Sequence, residues 1–291
     1  MKTNCSTHGK SASSTICGHL LNNKNESLGF VENSAIKGDF QGWCYACESL
    51  FLKEEDKTEK FKAFTNMTVV CEACYVDIKK QHSKIDLLEL SWTQREVEIY
   101  PLLFGKMPKD IMPLDALLFK NQFKHERVDP SWLFNGVFEV EPNEQRKSWL
   151  YVTSGMSNIW ETDKPETYAG YGVELMIECK EKSPWAVHML RSLMAFNIML
   201  AIGKYGDKPL LDYGDRIPHK INDRMCSVMI VKPMDFPEYI ELKSGRVDLL
   251  QLVTISNDEL AYAKEYSSDA LSEKMREAFG TYVVDLERED S

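Results

Sequence analysis

Residues 171–200 read YGVELMIECKEKSPWAVHMLRSLMAFNIML. In the first nine, Val173, Leu175, Ile177 and Cys179 alternate with Glu174, Met176 and Glu178, the period of a strand with one buried face. Pro184 then suits the first turn of a helix, where a missing N–H costs nothing. Val187, Leu190, Leu193, Met194, Ile198 and Ala201 recur at helical spacing, which predicts a helix to about Ile202 with one apolar stripe. A strand feeding a long helix points to an α/β architecture.

Reading toward the C-terminus, residues 205–223 form a polar loop, YGDKPLLDYGDRIPHKIND. Met225–Val231 and Val247–Ile255 are β-branched apolar runs suited to interior strands. Ser256-Asn257-Asp258-Glu259 is a capping box, Ser256 the cap and Glu259 reaching back, ahead of a helix carrying Leu260, Ala263, Tyr266, Leu271 and Met275. The charged tail DLEREDS is expected to fray. Toward the N-terminus, Phe134–Val140 and Trp149–Val152 read as strands, and 105–135 yields no assignment. Residues 71–90 and 84–100 read as helical, with Leu87, Leu88, Leu90 and Val97 as the stripe and Pro101 as the stop.

The chain has 291 residues, 43% of them hydrophobic, too apolar for a disordered polypeptide. Its net charge of -10 argues against nucleic acid as the main partner and against docking on an anionic membrane. The most apolar window, Ala186–Gly203, is interrupted by His188, Arg191 and Asn197, so no spanning helix is expected. The N-terminus lacks the apolar core of an export signal, and the expected location is cytoplasmic.

Six of the eight cysteines fall within the first 74 residues. They form the pairs Cys5-x2-His8, Cys17-x-His19, Cys44-x2-Cys47 and Cys71-x2-Cys74. In a reducing compartment such pairs serve metals more often than disulfides, and a C-x2-C turn aims two sulfurs at one ion. Eight N and S donors suffice for two tetrahedral zinc ions with no open position, hence two structural sites. The pairs can combine in sequence or interleaved. His82 is a possible substitute ligand, although its Lys79, Lys80 and Gln81 neighbours suggest a solvated helix end. Cysteine density and charge balance both change near residues 81–83, which places a zinc-binding module at 1–82 and a second domain at 86–291. C-x2-HG, C-x-HL, WCYACE and VVCEACY together resemble a small bacterial zinc-binding module.

From about Trp92 to Val284 the chain resembles the suppressor of fused domain. The resemblance rests on YVTSGMSN (151–158), YGVELMIEC (171–179), SPWAVHMLRSLMAF (183–196), DYGDRIP (212–218) and VDLLQLVTISNDELAYAKEY (247–266), in that order. Residues 105–148 diverge, and Thr254-Ile255 depart from the family's strand. The resemblance implies an α/β sandwich with a mixed central sheet, a suppressor-of-fused-like domain behind a small zinc-stabilised module. It also implies protein binding: in animals the family holds a transcription-factor peptide as an added strand. Several bacterial relatives sit beside toxin genes, which implies an immunity protein that blocks a toxin by direct contact; separately, the charge of -10 would steer a basic partner, such as a basic toxin domain.

The alternative is an enzyme. Asp212, Asp215, His219 and Asp223 share one polar loop and are the residues a hydrolase or transferase would use, or a metal would bind. The plainer reading makes them turn caps and a solvated imidazole. Between these stands the reading adopted here, that Tyr213, Asp215 and His219 line a partner-binding face and that no residue is catalytic. His188, His125, Cys179 and Cys226 read as structural or solvated. No nucleophile elbow, P-loop or dinucleotide fingerprint is present in the sequence. Trp43 and Tyr45 could stack on a base, which keeps zinc-dependent nucleic-acid binding as a further alternative.

Overall fold

The computed structural model describes residues 2–34, 38–83 and 86–291. Lys84 and Ile85, where the helical reading of 84–100 begins, lie outside the described residues. The chain divides into two compact units. One comprises the chain through Gln94 with Ile159–Ala169 and Glu241–Arg246; the other comprises Arg95–Asn158, Gly170–Ile240 and Val247–Ser291.

The first unit contains strands β1 (Lys2–Cys5), β2 (Gly9–Ile16), β3 (Val31–Glu32), β4 (Gln41–Trp43) and β5 (Thr68–Cys71). Its helices are α1 (Gly18–Asn22), α2 (Tyr45–Glu54), α3 (Glu59–Thr65), α4 (Glu72–His82) and α5 (Leu87–Thr93). The strands form a mixed sheet in the order β1-β2-β4-β3, with β5 also on β2. The β2–β4 pair is parallel and the others are antiparallel. Its small core is aromatic: Trp43, Phe51 and Phe61 pack at ring separations of 5.3–5.6 Å.

The second unit contains α6 (Tyr100–Phe104), β6 (Met112–Pro113), α7 (Ala116–Phe123), β7 (Gly136–Val140), β8 (Trp149–Ser154) and, from Gly170 on, β9 (Tyr168–Cys179). There follow α8 (Pro184–Ala201), β10 (Arg216–Pro218), β11 (Met225–Val231), β12 (Tyr239–Leu242) up to Ile240, β13 (Gly245–Ser256) from Val247, α9 (Asn257–Glu265) and α10 (Ser268–Phe279). The sheet runs β10-β11-β13-β9-β8-β7-β6, with β12 on β13. Strand side chains alternate between faces, so β11 and β13 feed two cores. Val228, Ile230, Leu250 and Leu252 pack with α7 and α8, whereas Met229, Val231, Val253 and Ile255 pack with α9 and α10. This helix-covered sheet is the α/β class expected from the sequence.

Several local readings need correction. β9 is a central strand buried on both faces, so Glu174 and Glu178 lie inside with relative exposures of 0% and 3%. Pro101 does not stop a helix; it occupies the first turn of α6, after a π-helical turn at Gln94–Ile99. That wider turn shifts the helical phase, so Arg95 is buried and Val97 is 68% exposed. The strand read from Phe134 begins at Gly136, because Pro130–Phe134 form a 3-10 turn. The tail is tied down rather than frayed: Arg288 pairs with Glu259, and the Ser291 N–H donates to the same carboxylate.

Candidate functional site

The four Cys/His pairs converge as two groups, Cys5/His8/Cys71/Cys74 and Cys17/His19/Cys44/Cys47, each with its donor atoms within 4.8 Å of one another. The first pair meets the fourth and the second meets the third, so the arrangement is nested, neither sequential nor interleaved. The sheet explains this. β2 pairs with β5 from Ser13↔Cys71 to Ile16↔Thr68, which sets the end of β5 beside the β1–β2 turn. β2 also runs parallel to β4 at Ile16↔Gly42, which sets Cys17 beside Cys44. Cys17, Cys44 and Cys71 are the N-cap residues of α1, α2 and α4. Strand ends thus deliver the first sulfur of each pair, and the following helical turn delivers the second at Cys47 and Cys74.

The donor geometry fits a four-coordinate cation. Bonds of about 2.3 Å to sulfur and 2.0–2.1 Å to nitrogen give tetrahedron edges of about 3.8 Å (S–S) and 3.6 Å (S–N). Cys5 and Cys74 sulfurs lie 3.8 Å apart, and His8 Nδ1 lies 3.8, 3.4 and 3.4 Å from the sulfurs of Cys5, Cys71 and Cys74. In the other group Cys44 and Cys47 are 3.5 Å apart, and His19 Nδ1 lies 3.7 and 3.2 Å from them. All eight cysteines are free. Hydrogen bonds from the sulfurs of Cys44 and Cys47 pull the Cys17 thiol far below its ordinary value, while Cys17 in turn pushes Cys44 up to about 11. Three sulfurs this close cannot all ionise unless a cation lies among them.

His82 is not a substitute ligand, nor is it solvated. It is fully buried, its Nδ1 accepts from the Leu28 N–H at 3.2 Å, and its Nε2 lies 3.1 Å from the Leu20 carbonyl. Trp43 and Tyr45 are equally committed. Trp43 is 1% exposed and donates to Glu48 at 2.6 Å, and the Tyr45 hydroxyl donates to the Asp163 carbonyl at 2.6 Å. The stacking platform imagined for nucleic acid therefore lies inside the core.

The Asp212–Asp223 loop holds Asp215 and His219 apart. Asp215 and His219 flank the two ends of β10, four residues apart along a strand, so about 13 Å separates their backbones. Asp215 accepts from the Asp212 N–H, and Asp223 pairs with Lys220 at 2.9 Å. The His219 imidazole is held below its ordinary value by burial, with no carboxylate among the causes. Among the described residues this loop contributes no group of three metal-holding side chains. Tyr213 donates its hydroxyl to the Glu238 carbonyl at 3.0 Å and borders a cavity of about 370 Å³ with Lys232, Met234, Asp269, Glu273 and Arg276. β10 itself is an edge strand, three residues long and ending in Pro218.

Comparison with known proteins adds the family. No curated protein matches the chain in sequence. Similar folds include a SUFU homologue from Neisseria gonorrhoeae FA 1090, with 17% identity and a TM-score of 0.49 over 68% of this chain and 96% of that one. The crystal structure of a Sufu–Fu complex matches at 16% identity and a TM-score of 0.43, covering 62% of this chain and 93% of that one. Drosophila Suppressor of Fused matches at 16% identity and a TM-score of 0.44, covering 64% of this chain and 54% of that one. A family model described as suppressor of fused protein (SUFU) matches residues 133–289, more than half of the chain, so the chain belongs to the suppressor of fused family.

Proposed function

We propose that this chain is a non-enzymatic protein-binding protein in which two structural zinc ions brace residues 1–82 and the domain at 86–291 grips a protein or peptide partner. The observation that carries the reading is family membership across residues 133–289, since the suppressor of fused domain is a protein-interaction module in eukaryotes. Zinc is the preferred ion because three thiolates and one imidazole per group suit a borderline-soft cation without redox chemistry. Tyr213, Asp215 and His219 are assigned to the partner face. β10 is short and ends in proline, devices that blunt a sheet edge. Recognition there therefore runs through side chains and the adjoining cavity rather than through a long added strand. The charge of -10 suits a basic partner and steers its approach. A basic toxin domain met in the bacterial cytoplasm, with this chain as its immunity protein, fits these properties.

The deciding experiment pairs the full chain with the product of any adjacent toxin gene. Co-expression should restore growth, and the two proteins should co-elute. The variants Asp215→Ala and His219→Ala should remain folded and weaken both effects. Growth that stays arrested with no complex formed removes the immunity reading. Turnover of a small substrate that vanishes in both variants would favour a hydrolase or transferase.

A further inference from the structure

The two Cys/His groups have the same donor set but different surroundings. Cys17, Cys44 and Cys47 have relative exposures of 0%, 2% and 0%, beside the fully buried core residues Ile16 and Leu20. The Cys44 N–H donates to the Cys17 sulfur at 3.4 Å, and the His19 ring rests on Phe64 at 4.8 Å. In the other group only Cys71 is buried, Cys5 and Cys74 are half-exposed, and His8 is exposed. The elements joined differ as well. The outer group links the β1–β2 turn to the start of α4, and β1 is a sheet-edge strand in which no residue is buried. A ribbon of this kind has little stability of its own. The inner group joins the caps of α1 and α2, with its three sulfurs buried and His19 half-buried.

From this we infer that the outer group, Cys5/His8/Cys71/Cys74, is an exchangeable metal site, whereas the inner group is a permanent brace. The inference rests on the metal reading proposed above. Release of the outer cation needs only local opening of the rim, and it frees the β1–β2 hairpin while the inner site keeps the rest of the unit folded. The protein then has two states, set by the free concentration of a thiophilic divalent cation such as zinc. The thiols of Cys5, Cys71 and Cys74 become open to soft metals and alkylating reagents only in the unloaded state.

The test uses the full chain reconstituted with zinc under reducing conditions. A chromogenic chelator should remove one equivalent roughly tenfold or more faster than the second, because the first needs only local opening. Iodoacetamide added after the fast phase should label Cys5, Cys71 and Cys74 and spare Cys17, Cys44 and Cys47, as read by peptide mass. The variant Cys74→Ser should bind one equivalent and lose the fast phase, with the slow phase unchanged. Loss of both equivalents in a single phase, or simultaneous labelling of all six thiols, overturns the inference while leaving two bound ions intact. A reconstituted chain that binds no zinc overturns the underlying metal reading itself.

Discussion

Arg288 closes on Glu259 through two hydrogen bonds, Nη1 to Oε1 and Nη2 to Oε2, each 2.7 Å long. The same carboxylate completes the capping box of α9, accepting from the Ser256 N–H at 3.0 Å. Burial alone would raise this carboxyl; the Arg288 hydrogen bonds and the amides of Ser256 and Ser291 overcome that and hold it below the ordinary range. One charge pair thus ties the last residues of the chain to β13 and α9. Arg288→Ala leaves a nearly sealed carboxylate unpaired and should cost about 3–5 kcal/mol in denaturant unfolding. Because the folded-state value is depressed, the stabilisation is complete above the unfolded value near 4.5 and fades as pH falls through the folded one. Glu259→Gln should therefore flatten the acid limb of the stability curve; an unchanged limb would remove the pair from the argument.

Glu178 should behave in the opposite way. It lies inside β9, accepts from the Ser148 hydroxyl at 2.6 Å, and borders a cavity of about 500 Å³ with Arg146, Lys180 and Asp235. Burial raises its carboxyl, only partly offset by Ser148 and Arg146. A raised folded-state value means stability is lost as pH climbs from the unfolded value near 4.5 through the folded one, and stays lost above it. Glu178→Gln keeps an acceptor for Ser148 and removes the charge. Thermal unfolding should show a gain in stability at pH 7 and none at pH 4; equal effects at the two pH values would contradict this.

The strands, α8 and the Ser256–Glu259 cap were legible because each is written in a local repeat: period two, period 3.6, or a four-residue box. All eight metal-binding candidates were legible from pair spacing alone, yet their nested pairing was not, because it depends on which strands flank β2. The burial of Arg95 was hidden for a related reason. A π-helical turn shifts phase without a sequence mark, and the partners of Arg95 are Ser154, Ser157 and Asn158, about sixty residues away. β9 looked half-exposed because Glu174 and Glu178 occupy its polar positions. Inside the sheet Glu174 is paid for by the N–H groups of Gly155 and Ser157 and the hydroxyls of Thr153 and Ser157.

That network yields a further expectation. Arg95 is 1% exposed, with Glu96 at 3.2 Å and Glu174 at 4.0 Å. Arg95→Met removes the cation from two carboxylates and leaves Ser154, Ser157 and Asn158 without a donor. The loss should reach about 3–5 kcal/mol. Arg95→Lys should recover only part of it, because an ammonium cannot match the forked guanidinium. Full recovery by lysine, measured in urea, would show that charge alone matters at this position.

His19 and His82 separate metal binding from packing in the first unit. His19 Nδ1 faces the sulfurs of Cys44 and Cys47, whereas both nitrogens of His82 are engaged by backbone at Leu28 and Leu20. His82→Ala leaves the part-buried Leu28 N–H and the buried Leu20 carbonyl unpaired and opens a void. It should cost about 2–5 kcal/mol, with metal content unchanged at two equivalents. His19→Ala should do the reverse at first, weakening or abolishing the inner equivalent, after which the Trp43–Phe61 core loosens because the cation supplied much of its folding free energy. Metal analysis and amide exchange on the two variants distinguish the roles. A His82 variant that lost one ion would make it a ligand after all and would require redrawing the nested groups.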